Sequence, residues 1–563
     1  MGGGRIPPAP EFKGYFTLPN GCPTENPLAS ERGDYSYHEK HRFASQLVQD
    51  TNTLDVISHL TQERIPERYV HAKGAGVFGK FELTRQTDPT QKISNWTDAK
   101  FLQDDAGPTR LFVRFSTIAG ERGYPDTVRD AKGCAFKLYT DEGNLDWVFL
   151  NPDVFQIRDP AKFPSMAHAT KRDPATNLPD PNMVHNPCST MNAFFSSHPE
   201  SFNSLLRIFS DQGTPQSFTR MDIFSVNTYT FTKATAPTFT YVRIKMEPEQ
   251  GVAYFTLEEA TTIAGKDPDY LGRRLYQEIQ DAIDYEKDPN RDPDNPKPYP
   301  SWKVYAQIID LNNIPTTDVN IFDPTKVIPD TLGFPWVEFG KITLNEVPAN
   351  YFTQVEQAAF APNNVVPGWD ISPDPILQIR LFAYGSTQRY RLGVNLDQLP
   401  TNRPCSYVYN PTRRDGLNNV TNYANARNYL KNNETTKEVF SNQSFLNWTG
   451  SMIRFESTPT DIDYSQPRDY YQHILDPEGQ DHLVSNIVAS LSVATITVRN
   501  QSLDPGLAQR IRQALATRDG QNKPLASYPG VVVGGEKDGK YYVPPTVPDP
   551  ATGVVKDVFK HIQ

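Results

Sequence analysis

Between Val70 and Leu344 the chain repeats one pattern many times: a short run of β-branched and aromatic residues, then a turn. Leu111-Phe112-Val113-Arg114-Phe115-Ser116, Ala135-Phe136-Lys137-Leu138-Tyr139, Thr228-Tyr229-Thr230-Phe231, Phe239-Thr240-Tyr241-Val242-Arg243-Ile244 and Lys303-Val304-Tyr305-Ala306-Gln307-Ile308 all read as strands. So many short strands in one region predict an antiparallel barrel or sandwich. Helical patterns interrupt it at Glu200 to Phe209 and at Asp269 to Tyr285, so the fold class expected is α+β.

The remainder is organised around that region. Residues 1–62 read as an N-terminal arm rich in Pro, Gly and Asn, with one helix from Asn52 to Thr61 carrying Leu54, Ile57 and Leu60 on one face. Residues 63–345 form the barrel unit. An Asn-rich segment, 346–450, has little pattern beyond the helices holding Glu356 and Tyr384, and must wrap a partner surface. Leu483, Ile487 and Leu491 then repeat every four residues, placing a small helical domain at 451–520 before a loose tail at 521–563.

With 31 Phe and 27 Tyr in 563 residues, the chain can bury a large aromatic core. Its 66 acidic against 56 basic residues leave no electrostatic footprint for nucleic acid. Cys22, Cys134, Cys188 and Cys405 are far apart and form no C-x-x-C pair, which excludes the usual cysteine–zinc spacings and fits a reducing compartment. No apolar run approaches membrane-spanning length, the N-terminus lacks a signal-like apolar stretch, and His561-Ile562-Gln563 is not a peroxisomal address. The chain therefore reads as intracellular, cytoplasmic or peroxisomal, with no membrane partner.

Two patterns carry chemistry. Arg380 and Tyr384 stand four apart in a helical stretch and so share a face. A free tyrosine holds its proton to about pH 10, and a guanidinium fixed against the oxygen favours the phenolate, a ligand for ferric iron. In the second, His71 follows Arg68, while Arg114 and Ser116 alternate onto one strand face, where one can meet an anionic group and the other orient an imidazole. Gly74-Ala75-Gly76-Val77-Phe78-Gly79 matches a dinucleotide fingerprint, but a strand follows it instead of a helix. Its glycines are expected to admit a flat ligand or a tight turn.

Taken together, Arg64 to Gly74, Val113 to Gly120, Gly143-Asn144-Leu145-Asp146, Phe163-Pro164, Tyr351 to Phe360 and Arg380 to Gly393 resemble the monofunctional haem catalase family over about residues 15 to 520. The resemblance implies the catalase fold, haem b, a peroxide substrate and a homo-oligomer, dimer or tetramer. It implies Tyr384 as the proximal metal ligand, with Arg380 and Asp374 supporting it, and Arg68, Arg114 and Arg391 as clamps on the haem carboxylates. His71 would be the distal acid–base residue held by Ser116, with Val70 and Phe163 packing the haem.

Departures from the family set the remaining expectations. Leu150 stands at the position of the distal asparagine and donates no hydrogen bond, and Asn151 beside it would point away from an extended strand. Gln156 and Met166 stand where phenylalanines narrow the approach to the iron. With Phe155 and Ile118, these residues are the expected substrate pocket. Gln212, Lys245, Glu247, Ile328 and Asp330 replace the Arg, His, Lys, Trp and His of the family's NADPH site, so tightly held NADPH is not expected. The leading expectation is thus an oxidoreductase that uses peroxide or another reduced oxygen species to oxidise an organic molecule, as in the chanoclavine synthase and allene oxide synthase branches. Hydrogen peroxide dismutation and a non-catalytic haem-binding protein are the alternatives.

Overall fold

The computed structural model describes residues 2–31, 49–172, 174, 177, 191–234, 236–310, 319–432, 453–491, 505–520, 536–537 and 540–541. Ten strands join one antiparallel sheet: β1 (Gly74–Leu83), β2 (Thr109–Thr117), β3 (Lys132–Thr140), β4 (Gly143–Leu150), β5 (Ile223–Phe224), β6 (Tyr229–Lys233), β7 (Ala236–Pro248), β8 (Ser301–Asp310), β9 (Trp336–Glu346) and β10 (Trp369–Asp370). Running β1-β2-β3-β4-β5-β7-β8-β9, the order returns to β1, so eight strands close a barrel and β6 and β10 extend from the edge of β7. Closure removes the exposed edges that an open sheet of this size would present.

The period of two decides what each face of the barrel does. Leu145, Trp147 and Phe149 of β4 point into the interior, with Val113 and Phe115 of β2 and Phe136 and Leu138 of β3. Val148 points outward and joins Phe78, Phe112, Phe360 and Tyr384 in a second cluster. The glycine-rich run is not a turn, as its composition suggested: Gly74, Gly76 and Gly79 all lie within β1. A β-carbon at Gly74 would fall 2.4 Å from Phe115 O and 2.7 Å from the Arg114 guanidinium, so what the glycine admits there is the neighbouring strand and its arginine.

Five helices matter for the site and its supports. Helix α1 (Thr51–Thr61) is capped by Asp50 and buries none of its residues, so Leu54, Ile57 and Leu60 are exposed. Helix α2 (Phe202–Phe209) packs through Leu205, Leu206 and Phe209 against Leu483 and Ile487 of α4 (Pro477–Leu491) and Leu507 of α5 (Pro505–Gly520). Helix α3 (Pro375–Leu392) carries Arg380 and Tyr384. Most of the expected tail lies outside the described residues. At the other end, Gly3 and Gly4 are buried with φ of 61° and 75°, and their amides donate to Arg403 O and Pro400 O. Gln354 Nε2 and Arg110 Nε donate in turn to Gly4 O and Gly3 O.

Candidate active site

Helix α3 starts where Asp374 caps it: Oδ1 accepts from Ile376 N at 2.9 Å and Leu377 N at 3.1 Å, and Pro375 takes a first-turn position where no amide hydrogen is needed. Asp374 is fully buried, and its Oδ2 accepts from Asn227 Nδ2 at 2.7 Å. Burial pushes this carboxyl up from its ordinary value, partly offset by these hydrogen bonds. Asn227 Oδ1 in turn accepts from Arg380 Nη1. Arg380 Nη2 donates to Val148 O at 2.7 Å and to Tyr384 Oη at 3.3 Å. Burial disfavours the guanidinium charge, but Tyr384, Tyr229 and Asp374 together outweigh it, so Arg380 stays charged.

Asn227 is aimed by a strained turn. Val226 has φ of 61°, and Asn227 N donates to Ser225 O across it at 2.6 Å. A β-branched residue at positive φ costs about 1–3 kcal/mol and persists only where its surroundings impose it. Nothing in the residue pattern around Asn227 marks it as a relay residue.

On the other side, His71 also has a left-handed backbone, with φ of 65°. Its amide donates to Ile118 O at 3.0 Å, and its Nδ1 is hydrogen-bonded to Ser116 Oγ at 2.9 Å. Arg114 fixes the same turn, donating to His71 O at 2.7 Å and Ala72 O at 3.0 Å. Burial first, then the charges of Arg114, Arg380, Arg68 and Lys171, lower the His71 pKa to about 3. The imidazole is therefore neutral across the physiological range.

Strand register relates the two halves. Ser116 pairs with Gly133 and Gly133 with Leu150, so all three stand in one row on the outer barrel face. Val148, two residues before Leu150, holds Arg380 through its carbonyl and packs with Tyr384. Along one strand, then, the imidazole side and the phenol side are offset by roughly 6–7 Å, the rise of two strand residues.

A third set consists of arginines. Arg68, Arg114 and Arg391 are all buried. Arg68 Nη2 donates to the carbonyls of Val355, Glu356 and Ala358, while Arg391 Nη2 donates to Glu356 O and Oε1. Arg391 also reaches Pro66 O and Gln388 Oε1. Arg68 Nη1 and Glu356 Oε2 form an ion pair at 3.7 Å, too far to hydrogen-bond, and neither they nor Arg114 Nε has a hydrogen-bond partner among the described residues. Burial lowers the pKa of Arg68, and Arg114 and Arg391 lower it further. Three guanidiniums about one carboxylate fit a ligand bringing more negative charge. The two carboxylates of haem would supply it, with the phenol of Tyr384 available to the iron.

The other expected residues divide. Asn151 is committed elsewhere: its Oδ1 accepts from Lys132 N at 2.7 Å and its Nδ2 donates to Gln212 O at 2.9 Å, so it does not stand in for an asparagine at Leu150. Leu150 and Gln156 are buried, and Val70 and Ile118 half-buried beside His71. Phe155, Phe163 and Met166 pack against the cluster shared with the C-terminal helices. Among the residues expected to preclude NADPH, Lys245 pairs with Glu247 at 2.8 Å and lies 5.1 and 5.0 Å from the ring centres of Tyr305 and Trp336.

Residues 18–436 match the family model described as Catalase. The chain belongs to the catalase family. It is 42% identical over 486 residues to Catalase A of Botryotinia fuckeliana, covering 85% of this chain and 94% of that protein. To the peroxisomal catalase of Pichia angusta it is 38% identical over 491 residues, covering 85% and 91%. Among solved structures, a fungal catalase superposes with a TM-score of 0.80 at 35% identity, covering 90% of this chain and 97% of that one. Catalase A from Saccharomyces cerevisiae gives 0.78 at 36%, covering 89% and 99%. As a member of this family, the chain is a haem oxidoreductase of the catalase type acting on hydrogen peroxide. Its described helices include none long and apolar enough to cross a membrane.

Two further residues belong to the site, Glu356 between the arginines and Gly133 beneath the imidazole. Glu356 lies in a helical stretch with no local pattern to mark it, whereas Gly133 carries a signal, since a glycine inside a strand points to close approach.

Proposed function

We propose that this protein dismutates hydrogen peroxide to water and oxygen at a haem b bound between Tyr384 and His71. The observation that carries the reading is a neutral, Ser116-bound imidazole on the same outer barrel face as a phenol held by a charged arginine. When bound, the haem iron supplies the redox centre at which one peroxide is reduced and a second oxidised.

The chain's own residues do the rest. With Nδ1 donating to Ser116 Oγ, His71 Nε2 is left with a lone pair that takes a proton from one peroxide oxygen and returns it to the other. Arg380 holds negative charge on the Tyr384 oxygen, and the Asn227–Asp374 pair fixes Arg380. Arg68, Arg114 and Arg391 anchor the carboxylate edge. Leu150 leaves the second peroxide oxygen without a fixed donor, which slows turnover without removing it.

The relatives support dismutation over the organic oxidation that Leu150, Gln156 and Met166 suggested, since every relative cited is named as a catalase. The Lys245–Glu247 pair supports a catalase that retains no NADPH, and the peroxisomal relative supports that compartment. Oxygen evolution from peroxide by haem-replete protein, measured with an oxygen electrode, tests the proposal. A Soret band with no oxygen evolved overturns it.

A further inference from the structure

Behind Val148, on the inner barrel face, lies a group of oxidisable rings. Trp147 and Trp369 are fully buried, with centroids 5.3 Å apart and planes at 35°. Tyr229, also fully buried, lies 5.7 Å from Trp369. Trp147 Nε1, Trp369 Nε1 and Tyr229 Oη have no hydrogen-bond partner among the described residues. Buried indole and phenol groups ordinarily find one, and each left unpaired costs on the order of 1–3 kcal/mol. Phenylalanine would fill these sites without that cost, so packing alone does not account for them.

Their position suggests what they do. Val148 lies between Trp147 and Phe149 in β4, and its carbonyl accepts from the same Arg380 Nη2 that reaches Tyr384 Oη. The indole of Trp147 thus begins one residue of backbone from the proximal network. Tyr229 feels Arg380, Asp374 and Tyr384 as well, and burial first raises its phenol to about 12, so it holds its proton. At the far end, half-exposed Trp96 packs on the same cluster, and its neighbour Thr97 Oγ1 donates to Gly368 O at 2.6 Å, next to Trp369.

We propose that Trp147 and Trp369 form a one-electron relay that gives this catalase a peroxidase activity toward small soluble reductants of the phenol or ascorbate class. The proposal rests on haem binding as argued above. When one peroxide has been reduced and no second arrives, the indole pair gives up one electron to the haem, where a proton from water joins it. The pair keeps its N–H protons, having no hydrogen-bonding base among the described residues, and becomes an indole radical cation. A reductant at the surface refills it through Trp96. Over two such transfers, one hydrogen peroxide and two reductant molecules, each losing an electron and a proton, yield two waters and two reductant radicals. The reductant never enters the space above His71.

The test is freeze-quench electron paramagnetic resonance of the haem-replete protein after peracetic acid, which oxidises without serving as a dismutation partner. Protein grown with ring-deuterated tryptophan should give a narrower organic-radical signal than unlabelled protein. The variant with Trp147→Phe and Trp369→Phe should lose that signal and keep its Soret band and oxygen evolution. If the variant does not fold, peptide mapping of the peracid-treated parent should find oxygen adducts at Trp147 and Trp369 ahead of the other tryptophans. An unnarrowed signal, no signal, an unchanged signal in a folded variant, or adducts elsewhere overturns the relay. Absence of a Soret band would instead overturn the haem reading.

Discussion

Gly133 lies so close to His71 that a β-carbon built on it would stand 2.4 Å from Nδ1 and 2.7 Å from Ser116 Oγ. The hydrogen bond that holds the imidazole thus passes over a residue that must have no side chain. Gly133→Ala should break that bond and push the ring aside, costing about 1–3 kcal/mol through overpacking. Oxygen evolution should fall much further than haem content, as the Soret band and an oxygen electrode together would show; equal activity in the variant would mean that the ring has room to spare.

His71→Ala should abolish oxygen evolution while leaving the haem in place, because the arginine set and Tyr384 are untouched. Retained peroxide reactivity would remove the imidazole from the mechanism.

The pH profile follows from the same residue. With its pKa near 3, His71 stays neutral and able to accept a proton well below pH 6, so the rate should stay level from about pH 8 to 5 and fall only toward 3. The unfolded chain, with an ordinary histidine near 6.5, binds its proton first. The stability contributed by the depressed folded value is therefore full above about 6.5 and is lost progressively as pH falls toward 3. A descending limb in rate centred near 6.5, or a denaturant midpoint that does not fall between pH 6.5 and 3, would contradict this environment.

Leu150→Asn should raise turnover. It restores a donor in the row of Ser116 and Gly133, and one hydrogen bond of about 0.5–1.5 kcal/mol gives roughly twofold to tenfold in rate. No gain in kcat would place Leu150 away from the peroxide.

Asn227→Leu should weaken haem retention, because it strips a hydrogen bond from buried Asp374 and leaves Arg380 held only by Val148 and Tyr384. An unsatisfied buried carboxylate costs about 1–3 kcal/mol or more. Faster haem loss to an apoglobin acceptor and a shifted Soret maximum are expected.

What the sequence could show depended on range. The strands between Leu111 and Ile308, the Tyr384 helix and the Leu483–Ile487 spacing were legible because each is a local periodicity of a pattern that tertiary structure did not override. The barrel's closure was legible as a class only, since the pairing of β9 with β1 joins residues over 250 positions apart. Arg380, Tyr384, His71 and Ser116 could be read from spacing and resemblance. Asn227, by contrast, is brought to Arg380 by a strained turn at Val226, and nothing in one sequence marks a valine for positive φ. The exposed face of α1 has the same lesson in reverse: Leu54, Ile57 and Leu60 form an apolar stripe, but no element of the described chain covers it.

The seat of Gly3 and Gly4 beneath residues 400–404 imposes an order of events during synthesis. Those glycines leave the ribosome hundreds of residues ahead of the backbone that receives them, so they must wait unpaired until the Tyr384 helix and the strand of chain beyond it have emerged. The anchoring arginines at the Glu356 turn, which Gln354 ties to Gly4, cannot be finally braced before then. Maturation of the site in this sense waits on chain made hundreds of residues later, and a side chain introduced at Gly3 or Gly4 would be felt at the cofactor pocket.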